Sequence, residues 1–180
     1  EIRLSLVGSE MCIRDRPQLN SEQSAIVEEV QLDGAFYPAL IFGITGSGKT
    51  EVYLHLMEKV LLRDPEAQVL LMVPEINLTP QLVEKVQSRF PQFEVVSWNS
   101  GMAEGQKASS WLACHEGRAR ILVGTRLSVF ASFKSLKLIL VDEEHDPSFK
   151  SQEGVRYNAR DLALKRASIE QIPIVLGLSL

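Results

Sequence analysis

From Pro38 onward, short apolar runs alternate with longer stretches in which apolar residues recur at helical spacing. Several of the short runs are apolar throughout, which is typical of strands covered on both faces. The predicted strands are residues 39–42, 69–73, 95–98, 121–123, 138–141 and 174–176. The predicted helices are residues 49–62, 80–90, 103–115 and 159–168. This alternation, with its short connections, predicts an α/β domain with a mostly parallel β-sheet flanked by helices.

The first sixteen residues do not share this pattern. Residues 1–16 show neither helical nor strand periodicity, and the patterned sequence begins at Pro17. We expect residues 1–16 to lie outside the fold as a non-native leader, and a short disordered leader is the alternative. Residues 178–180 raise the same question at the other end of the chain.

The composition of the chain is that of an ordinary globular domain, and it limits the kinds of ligand and site to expect. The 180 residues are 45% hydrophobic and 23% charged, as in ordinary globular domains, and no apolar run approaches the roughly 20 residues of a bilayer-spanning helix. The net charge of −4 repels nucleic acid, so any contact with DNA must be local. The two cysteines are too few for a zinc site or a disulfide framework. We therefore expect a cytoplasmic protein that needs neither membrane nor zinc in this segment.

A glycine-rich segment, GITGSGKT at residues 43–50, carries the first candidate chemistry. It has the spacing G-x-x-x-x-G-K-[ST] between a predicted strand and a predicted helix, the context of a phosphate-binding loop. Its N–H groups and the helix N-terminus attract phosphate, Lys49 neutralises β- and γ-phosphate charge, and Thr50 can hold Mg²⁺. ATP and Mg²⁺ are the predicted ligands, and a glycine-rich turn with a solvated lysine is the alternative. The predicted nucleotide contacts are Gly43, Thr45, Gly46, Ser47, Gly48, Lys49 and Thr50.

An acidic segment, DEEH at residues 142–145, follows the apolar strand 138–141. Asp142, at the tip of that strand, is predicted to hold Mg²⁺ through its water shell. Glu143 is predicted to orient and deprotonate the water that attacks the γ-phosphate, which makes Lys49, Asp142 and Glu143 the catalytic residues of an ATP hydrolase. Taken alone, such a cluster is more often a solvated loop or a helix N-terminus.

Five segments together resemble the PriA family of replication-restart DNA helicases. Phosphate-binding loops and DEEH motifs are widespread, whereas their combination with PEINLTPQ and QEGVRYNARD is much narrower. The five are TGSGKTEVY (45–53), PEINLTPQ (74–81), VGTR (123–126), DEEHD (142–146) and QEGVRYNARD (152–161). The resemblance implies that residues 17–180 form the RecA-like ATP-binding lobe of a superfamily-two helicase, truncated at its C-terminal end. Such a protein unwinds DNA with 3′ to 5′ polarity at stalled forks and recruits primosome proteins.

The resemblance also implies residues on the nucleotide base and on single-stranded or forked DNA. Gln23 would read adenine, although a glutamine near a helix start is commonly a capping or surface residue. Sugar-phosphate contacts would come from Thr79, which is also a predicted N-cap, Thr125, and Arg126, for which a surface salt bridge is the alternative. The segment 149–160 resembles an aromatic-rich loop that couples DNA binding to hydrolysis. Phe149 and Tyr157 would stack on bases or, alternatively, pack the loop onto the sheet, and phosphate contacts would come from Lys150, Arg156 and Arg160.

Other features bear on what the chain can do by itself. It departs from the family pattern at Asn99, Val155 and Asn158, and after Gly177 it reads LSL where the family has Ser-Ala-Thr-Pro. The resemblance places a second RecA-like lobe elsewhere in the parent chain, and with it the arginine that completes the catalytic site. Three functions therefore stay open: the catalytic lobe of a helicase, a nucleotide-binding module with negligible turnover, and another superfamily-two DNA translocase.

Overall fold

The structure is a computed structural model that describes residues 17–44, 46–152 and 154–179. The predicted leader, residues 1–16, lies outside the described residues. The strands are β1 (Tyr37–Gly43), β2 (Gln68–Met72), β3 (Glu94–Trp98), β4 (Ala119–Gly124), β5 (Leu136–Val141) and β6 (Pro173–Ser179). The helices are α1 (Ser21–Glu29), α2 (Lys49–Arg63), α3 (Pro80–Arg89), α4 (Glu104–His115) and α5 (Ala159–Glu170). Short 3₁₀ helices span Glu75–Asn77, Arg126–Phe130 and Pro147–Phe149.

The six strands form one sheet in the order β1-β6-β5-β2-β4-β3, and every pair of neighbouring strands is parallel. Alternate residues of the central strand β2 enter two different cores. Val69 and Leu71 belong to the core formed with α1, α2 and α3, whereas Leu70 and Met72 belong to the core formed with α4 and α5. The sheet is therefore covered on both faces, which explains why its strands are apolar throughout.

The predicted α/β class and the ten predicted elements are confirmed, with end points that differ by at most a few residues. Helix α1 was not predicted. It buries Val27 as its one fully buried residue, so its apolar periodicity is weak. Its start is instead fixed by a capping box between Asn20 and Gln23. No described helix has the length and apolar character that crossing a bilayer requires.

Parallel pairing brings the carboxyl ends of all six strands to one edge of the sheet. The glycine-rich segment follows β1, PEINLTPQ follows β2, VGTR ends β4 and its 3₁₀ helix begins there, and DEEH follows β5. Ligands of open α/β sheets bind beyond this edge. The fold thus gathers segments that are widely separated in sequence along one rim.

Candidate functional site

The glycine-rich loop runs from the end of β1 to the start of α2. Gly46 and Gly48 have φ angles of 81° and 82°, in the left-handed region that only glycine adopts at no cost. Gly48 is the N-cap of α2 and makes no side-chain cap bond, so the first N–H groups of the helix keep their capacity to bind an anion. Gly43 is required for packing, since a Cβ there would lie 2.6 Å from Ser47 Oγ. Thr45 lies outside the described residues.

Gln23 lies against this loop. Its Nε2 donates to the carbonyl oxygens of Ser47 and Gly48 at 3.1 and 3.4 Å. Its Oε1 accepts from the backbone N–H of Asn20 at 2.9 Å, while Asn20 Oδ1 accepts from the N–H of Gln23 at 2.8 Å. The capping alternative is therefore confirmed, and the same amide braces the phosphate-binding loop. The reading of adenine by Gln23 stays a prediction.

The acidic segment is held between β2 and β6. The N–H of Asp142 donates to the carbonyl oxygen of Met72 at 2.9 Å, and the N–H of Glu144 donates to that of Gly177 at 2.8 Å. Between them Glu143 has a φ of 47°, a left-handed backbone conformation that residues other than glycine rarely adopt. Such strain persists only where the surroundings fix it, and it is frequent at functional sites.

Lys49 and Glu143, both predicted to be catalytic, meet at the sheet edge. Lys49 Nζ lies 3.8 Å from Glu143 Oε1, with side-chain exposures of 9% and 21%. Ser179, at the end of β6, accepts a hydrogen bond from Lys49 Nζ at 2.5 Å, and its hydroxyl donates to Glu143 Oε1. Its backbone N–H donates to Glu143 Oε2 at 3.2 Å. Ser179 was not predicted as a site residue, and it lies where the sequence departs from the family pattern.

Asp142 accepts a hydrogen bond from Tyr53 Oη at 2.8 Å. Burial raises the pKa of the Asp142 carboxyl, the nearby Glu143 charge raises it further, and the Tyr53 hydrogen bond and Lys49 oppose that rise. Burial also raises the pKa of Tyr53, which is 1% exposed, and the Asp142 charge acts in the same direction. Tyr53 was missed from the sequence, although a tyrosine on the buried face of a helix generally needs a hydrogen-bond partner. Gly177 makes room for it, because a Cβ there would lie 1.7 Å from Tyr53 Oη.

These side chains fit a nucleotide with Mg²⁺ better than a metal held by protein alone. The described residues contain no cluster of three or more His, Cys, Asp or Glu that could hold an ion. Mg²⁺ commonly binds through one or two carboxylates while phosphate oxygens and water complete its shell. Asp142 with the Thr50 hydroxyl, next to an uncapped helix N-terminus, matches that donor set.

A buried ionic cluster adjoins the loop at the first turn of α2. The Glu51 carboxylate, in a residue that is 7% exposed, lies 3.0 Å from Arg89 Nη1 and 3.4 Å from His55 Nδ1. Arg89 Nη2 also lies 3.5 Å from Glu58 Oε2, and Lys85 Nζ lies 4.0 Å from Glu51 Oε2. The cluster ties the helix that follows the phosphate-binding loop to α3, which begins at Pro80. The spacing of the charged residues along the two predicted helices did not predict this ionic cluster.

The residues predicted to contact the sugar-phosphate backbone differ in their exposure. Thr79 is the N-cap of α3 and accepts from Leu82 N–H at 3.2 Å, so its capping role is confirmed. Thr125 is 0% exposed, which corrects the expectation that its side chain contacts DNA; its backbone bonds to Trp98 and Ser128 instead. Arg126 is partly exposed and forms no ion pair with the described residues, so nothing in that part of the chain supports the salt-bridge alternative.

The two predicted stacking residues have different surroundings. Phe149 is 1% exposed and packs in the core with α5, so the expectation that it stacks on bases is wrong and the packing alternative holds for it. Tyr157 is partly exposed and meets the ring of Phe130 edge-on, with centroids 5.2 Å apart and an interplanar angle of 75°. Phe130 was not among the predicted site residues.

Arg160, expected to contact phosphate, instead pairs with acidic groups. Its Nη1 donates to Glu144 Oε2 at 2.7 Å and its Nη2 lies 2.8 Å from Asp161 Oδ1. The hydrogen bonds that the guanidinium donates to the Glu144 and Asp161 carboxylates raise the pKa of Arg160. Arg160 therefore connects α5 to the acidic segment in this conformation, while Lys150 and Arg156 are exposed as a phosphate contact requires.

Comparisons with known proteins agree with this geometry. The DEAD/DEAH box helicase family matches residues 20–179. The replication restart protein PriA of Bacillus subtilis is 44% identical over 88% of this chain, and that of Helicobacter pylori is 38% identical over 96%. These relatives confirm the resemblance drawn from the motifs. The chain spans 20% and 27% of their lengths, respectively.

Solved structures show the same fold at low sequence identity. The helicase MrfA bound to DNA is 16% identical with a TM-score of 0.66, over 94% of this chain and 26% of that one. RecG bound to a three-way DNA junction is 21% identical with a TM-score of 0.64, over 93% of this chain and 22% of that one. The parallel sheet and its flanking helices thus have the same fold as the matching parts of MrfA and RecG.

Proposed function

The chain belongs to the DEAD/DEAH box helicase family, and from this membership we propose that it is the ATP-binding and ATP-hydrolysing lobe of a 3′ to 5′ DNA helicase acting in replication restart. The observation that carries the proposal is the meeting of Lys49, Asp142 and Glu143 beside an uncapped helix N-terminus. A glycine-rich structural turn would need neither a buried carboxylate nor a strained glutamate opposite its lysine. Phosphoryl transfer needs a positive cradle, a metal-holding carboxylate and a group that orients water.

Each side chain at the sheet edge has a distinct role in the proposed hydrolysis of ATP. The N–H groups at the start of α2 and the Lys49 ammonium bind and orient the β- and γ-phosphates. When bound, Mg²⁺ supplies neutralisation of developing charge between the phosphates, and Asp142 and Thr50 are the residues that would hold it. Lys49 would exchange its bonds to Ser179 and Glu143 for phosphate oxygens. Glu143 would then hold the attacking water and accept its proton at a carboxylate oxygen.

Tyr53 acts through Asp142. Its hydroxyl fixes one carboxylate oxygen, and the bond opposes the effect of burial by lowering the pKa of Asp142. A carboxylate that stays ionised in a poorly hydrated site attracts a cation more strongly than a hydrated one does. Burial of Asp142 thus favours metal binding provided that Tyr53 keeps it charged.

Activities of the complete protein belong to the same proposal. The curated relatives are named replication restart proteins, and MrfA and RecG are described as bound to DNA. We infer that the parent chain binds single-stranded or forked DNA, that it unwinds forked DNA with the help of a second RecA-like lobe, and that primosome proteins are its partners. That second lobe would supply the arginine finger, whose effect on turnover is about 10³- to 10⁵-fold.

Binding of nucleotide is tested by titrating a fluorescent ATP analogue with Mg²⁺ into the chain. We expect micromolar binding that is lost in Lys49→Ala. A matched control is Lys134→Ala, because Lys134 is half-exposed and pairs with Glu66 away from the loop. Equal binding by the wild-type chain and Lys49→Ala would refute the phosphate cradle.

Hydrolysis is tested separately with Glu143→Gln, which keeps the shape of the side chain and removes its basicity. We expect this variant to bind the analogue while ATP turnover, measured with and without single-stranded DNA, falls below that of the wild-type chain. Tight binding without turnover in the wild-type chain would favour the isolated nucleotide-binding module. Turnover stimulated by duplex but not by single-stranded DNA would favour a different superfamily-two translocase.

A further inference from the structure

We propose that Phe130 is a base-stacking residue which, together with Tyr157, forms an aromatic platform for single-stranded nucleic acid. This inference rests on the proposed function, because it adds a contact to the same sheet edge. Phe130 ends the 3₁₀ helix Arg126–Phe130 that follows β4. The aromatic pair lies where unpaired bases would pass if a strand followed the carboxyl ends of the sheet.

The exposure of Phe130 sets it apart from its neighbours. Ser128, Val129 and Ala131 are at most 3% exposed, whereas Phe130 is 54% exposed. A large aromatic side chain that stays more than half exposed beside buried residues leaves much of its apolar surface in water. Its exposure is explained if the ring is covered by a ligand with a flat apolar face.

The backbone on both sides of Phe130 is held rigidly by α5. Arg166 Nη1 donates to the carbonyl oxygens of Val129 and Ala131, at 2.9 and 2.6 Å. The guanidinium of Arg166 also lies over the Phe133 ring at 5.3 Å. A segment whose backbone is already fixed loses less conformational entropy when a ligand is bound. Arg166 therefore acts as a positioning residue for Phe130.

Backbone hydrogen bonds hold Tyr157 in the loop before α5. The N–H of Ser151 donates to the Tyr157 carbonyl oxygen at 2.8 Å, and an antiparallel bridge joins Lys150 to Asn158. The edge-on contact of the two rings leaves a ring face of the pair without an aromatic neighbour. The platform thus joins the segment after β4 to the loop before α5.

The cations near the platform suit a phosphate backbone. Arg126 lies on the same 3₁₀ helix and forms no ion pair with the described residues, while Arg156 precedes Tyr157 and is exposed. The chain as a whole is acidic, so these positive charges are a local feature. Aromatic faces beside cations bind single strands with little sequence preference, because every base offers a π-face. A duplex keeps its bases stacked and fits this surface less well.

The test compares single-stranded oligonucleotides of about 12 nucleotides, a length that one such surface covers. One oligonucleotide carries thymine throughout, and a second of equal length is abasic. We expect Phe130→Ala to weaken binding of the thymine oligonucleotide by about 5- to 150-fold, the range for one base–aromatic stack. Binding of the abasic oligonucleotide should change by less than about 2-fold, since it has no base to stack. Fluorescence anisotropy measures both affinities.

Two further variants separate stacking from charge and from general damage. Arg126→Ala should weaken the binding of both oligonucleotides and reduce the magnitude of the slope of log affinity against log salt concentration by about 0.7. Phe130→Ala should leave this slope unchanged. Ile169→Ala is the matched control, because Ile169 is also exposed but lies near the far end of α5. It should alter neither affinity. Thermal melting identifies any variant that has lost its fold, and Phe130→Leu, which keeps apolar bulk without a π-face, then replaces Phe130→Ala.

The proposal is overturned if Phe130→Ala weakens binding of both oligonucleotides equally or weakens binding of neither. It is also overturned if the wild-type chain binds no oligonucleotide. These results leave the nucleotide titration unaffected, so a chain that binds the ATP analogue retains its proposed function. Conversely, a chain that binds the thymine oligonucleotide through Phe130 but does not bind the ATP analogue would support the platform and contradict the proposed function.

Discussion

Replacing Arg89 with methionine is expected to destabilise the fold by about 3–5 kcal/mol, because it removes the closest cation from a buried carboxylate. The side chains of Arg89 and Glu51 are 6% and 9% exposed, and their ion pair is 3.0 Å long. At that burial the carboxylate is poorly hydrated, and methionine fills the space without offering a donor. The free-energy loss is therefore mainly the penalty of an unpaired buried charge.

Two side chains next to Glu51 place the loss toward the lower end of that range. Lys85, at 4.0 Å from Glu51, is half-exposed and can approach the carboxylate more closely. His55 lies 3.4 Å away on the same helix. A domain of this size has a total stability of about 5–15 kcal/mol, so even 3 kcal/mol is a large fraction of it. The midpoint of thermal unfolding should fall by about 6–20 °C.

Urea unfolding followed by circular dichroism measures this loss, and a double-mutant cycle assigns its cause. Glu51→Gln in the Arg89→Met background removes the stranded charge and should recover much of the stability. Arg63→Met is the matched control, because the exposed Arg63–Asp33 pair contributes at most about 1 kcal/mol. A loss below about 1 kcal/mol in Arg89→Met, or strict additivity of the two substitutions, would contradict the attribution of the loss to an unpaired buried charge.

Three further predictions concern the core of the site and the thiol. Burial raises the pKa of the Asp142 carboxyl in the folded state, so the fold loses stability as pH rises through that pKa and the carboxyl ionises. Asp142→Asn should therefore melt at a higher temperature than the wild-type chain at pH 7. The difference between the two melting temperatures should vanish near pH 4. A pH series of thermal melts tests this, and an Asp142→Asn variant no more stable at pH 7 would contradict it. Gly177→Ala should cost about 1–3 kcal/mol through collision with Tyr53, and less in a Tyr53→Phe background, as urea unfolding would show. Burial, aided by Glu94, raises the pKa of Cys114 to about 12, so in a Cys12→Ser background native protein should not react with a thiol reagent at pH 8 until denaturant is added.

The pattern of residues along the chain was enough to predict the fold class and the segments that carry the candidate chemistry. Strands covered on both faces are apolar throughout, and helices carry apolar residues at 3.6-residue spacing, so a local pattern sufficed to predict both. The glycine-rich segment was recognisable because its backbone shape requires glycine at Gly46 and Gly48. Helix α1 escaped this reasoning because it starts from a cap and buries little.

Which side chains meet, and which of them reach solvent, depends on how the elements pack against one another. Phe149 and Phe130 are both aromatics in segments after strands, yet one is buried and the other exposed. Arg160 and Arg126 are both arginines of predicted DNA contacts, yet only Arg160 is neutralised by carboxylates within the described residues. Local pattern reports what each residue prefers, whereas burial and ion pairing depend on neighbours that sheet order brings from distant parts of the chain. For that reason the Tyr53–Asp142 bond and the Glu51–Arg89 pair could be found only once strands and helices had been placed side by side.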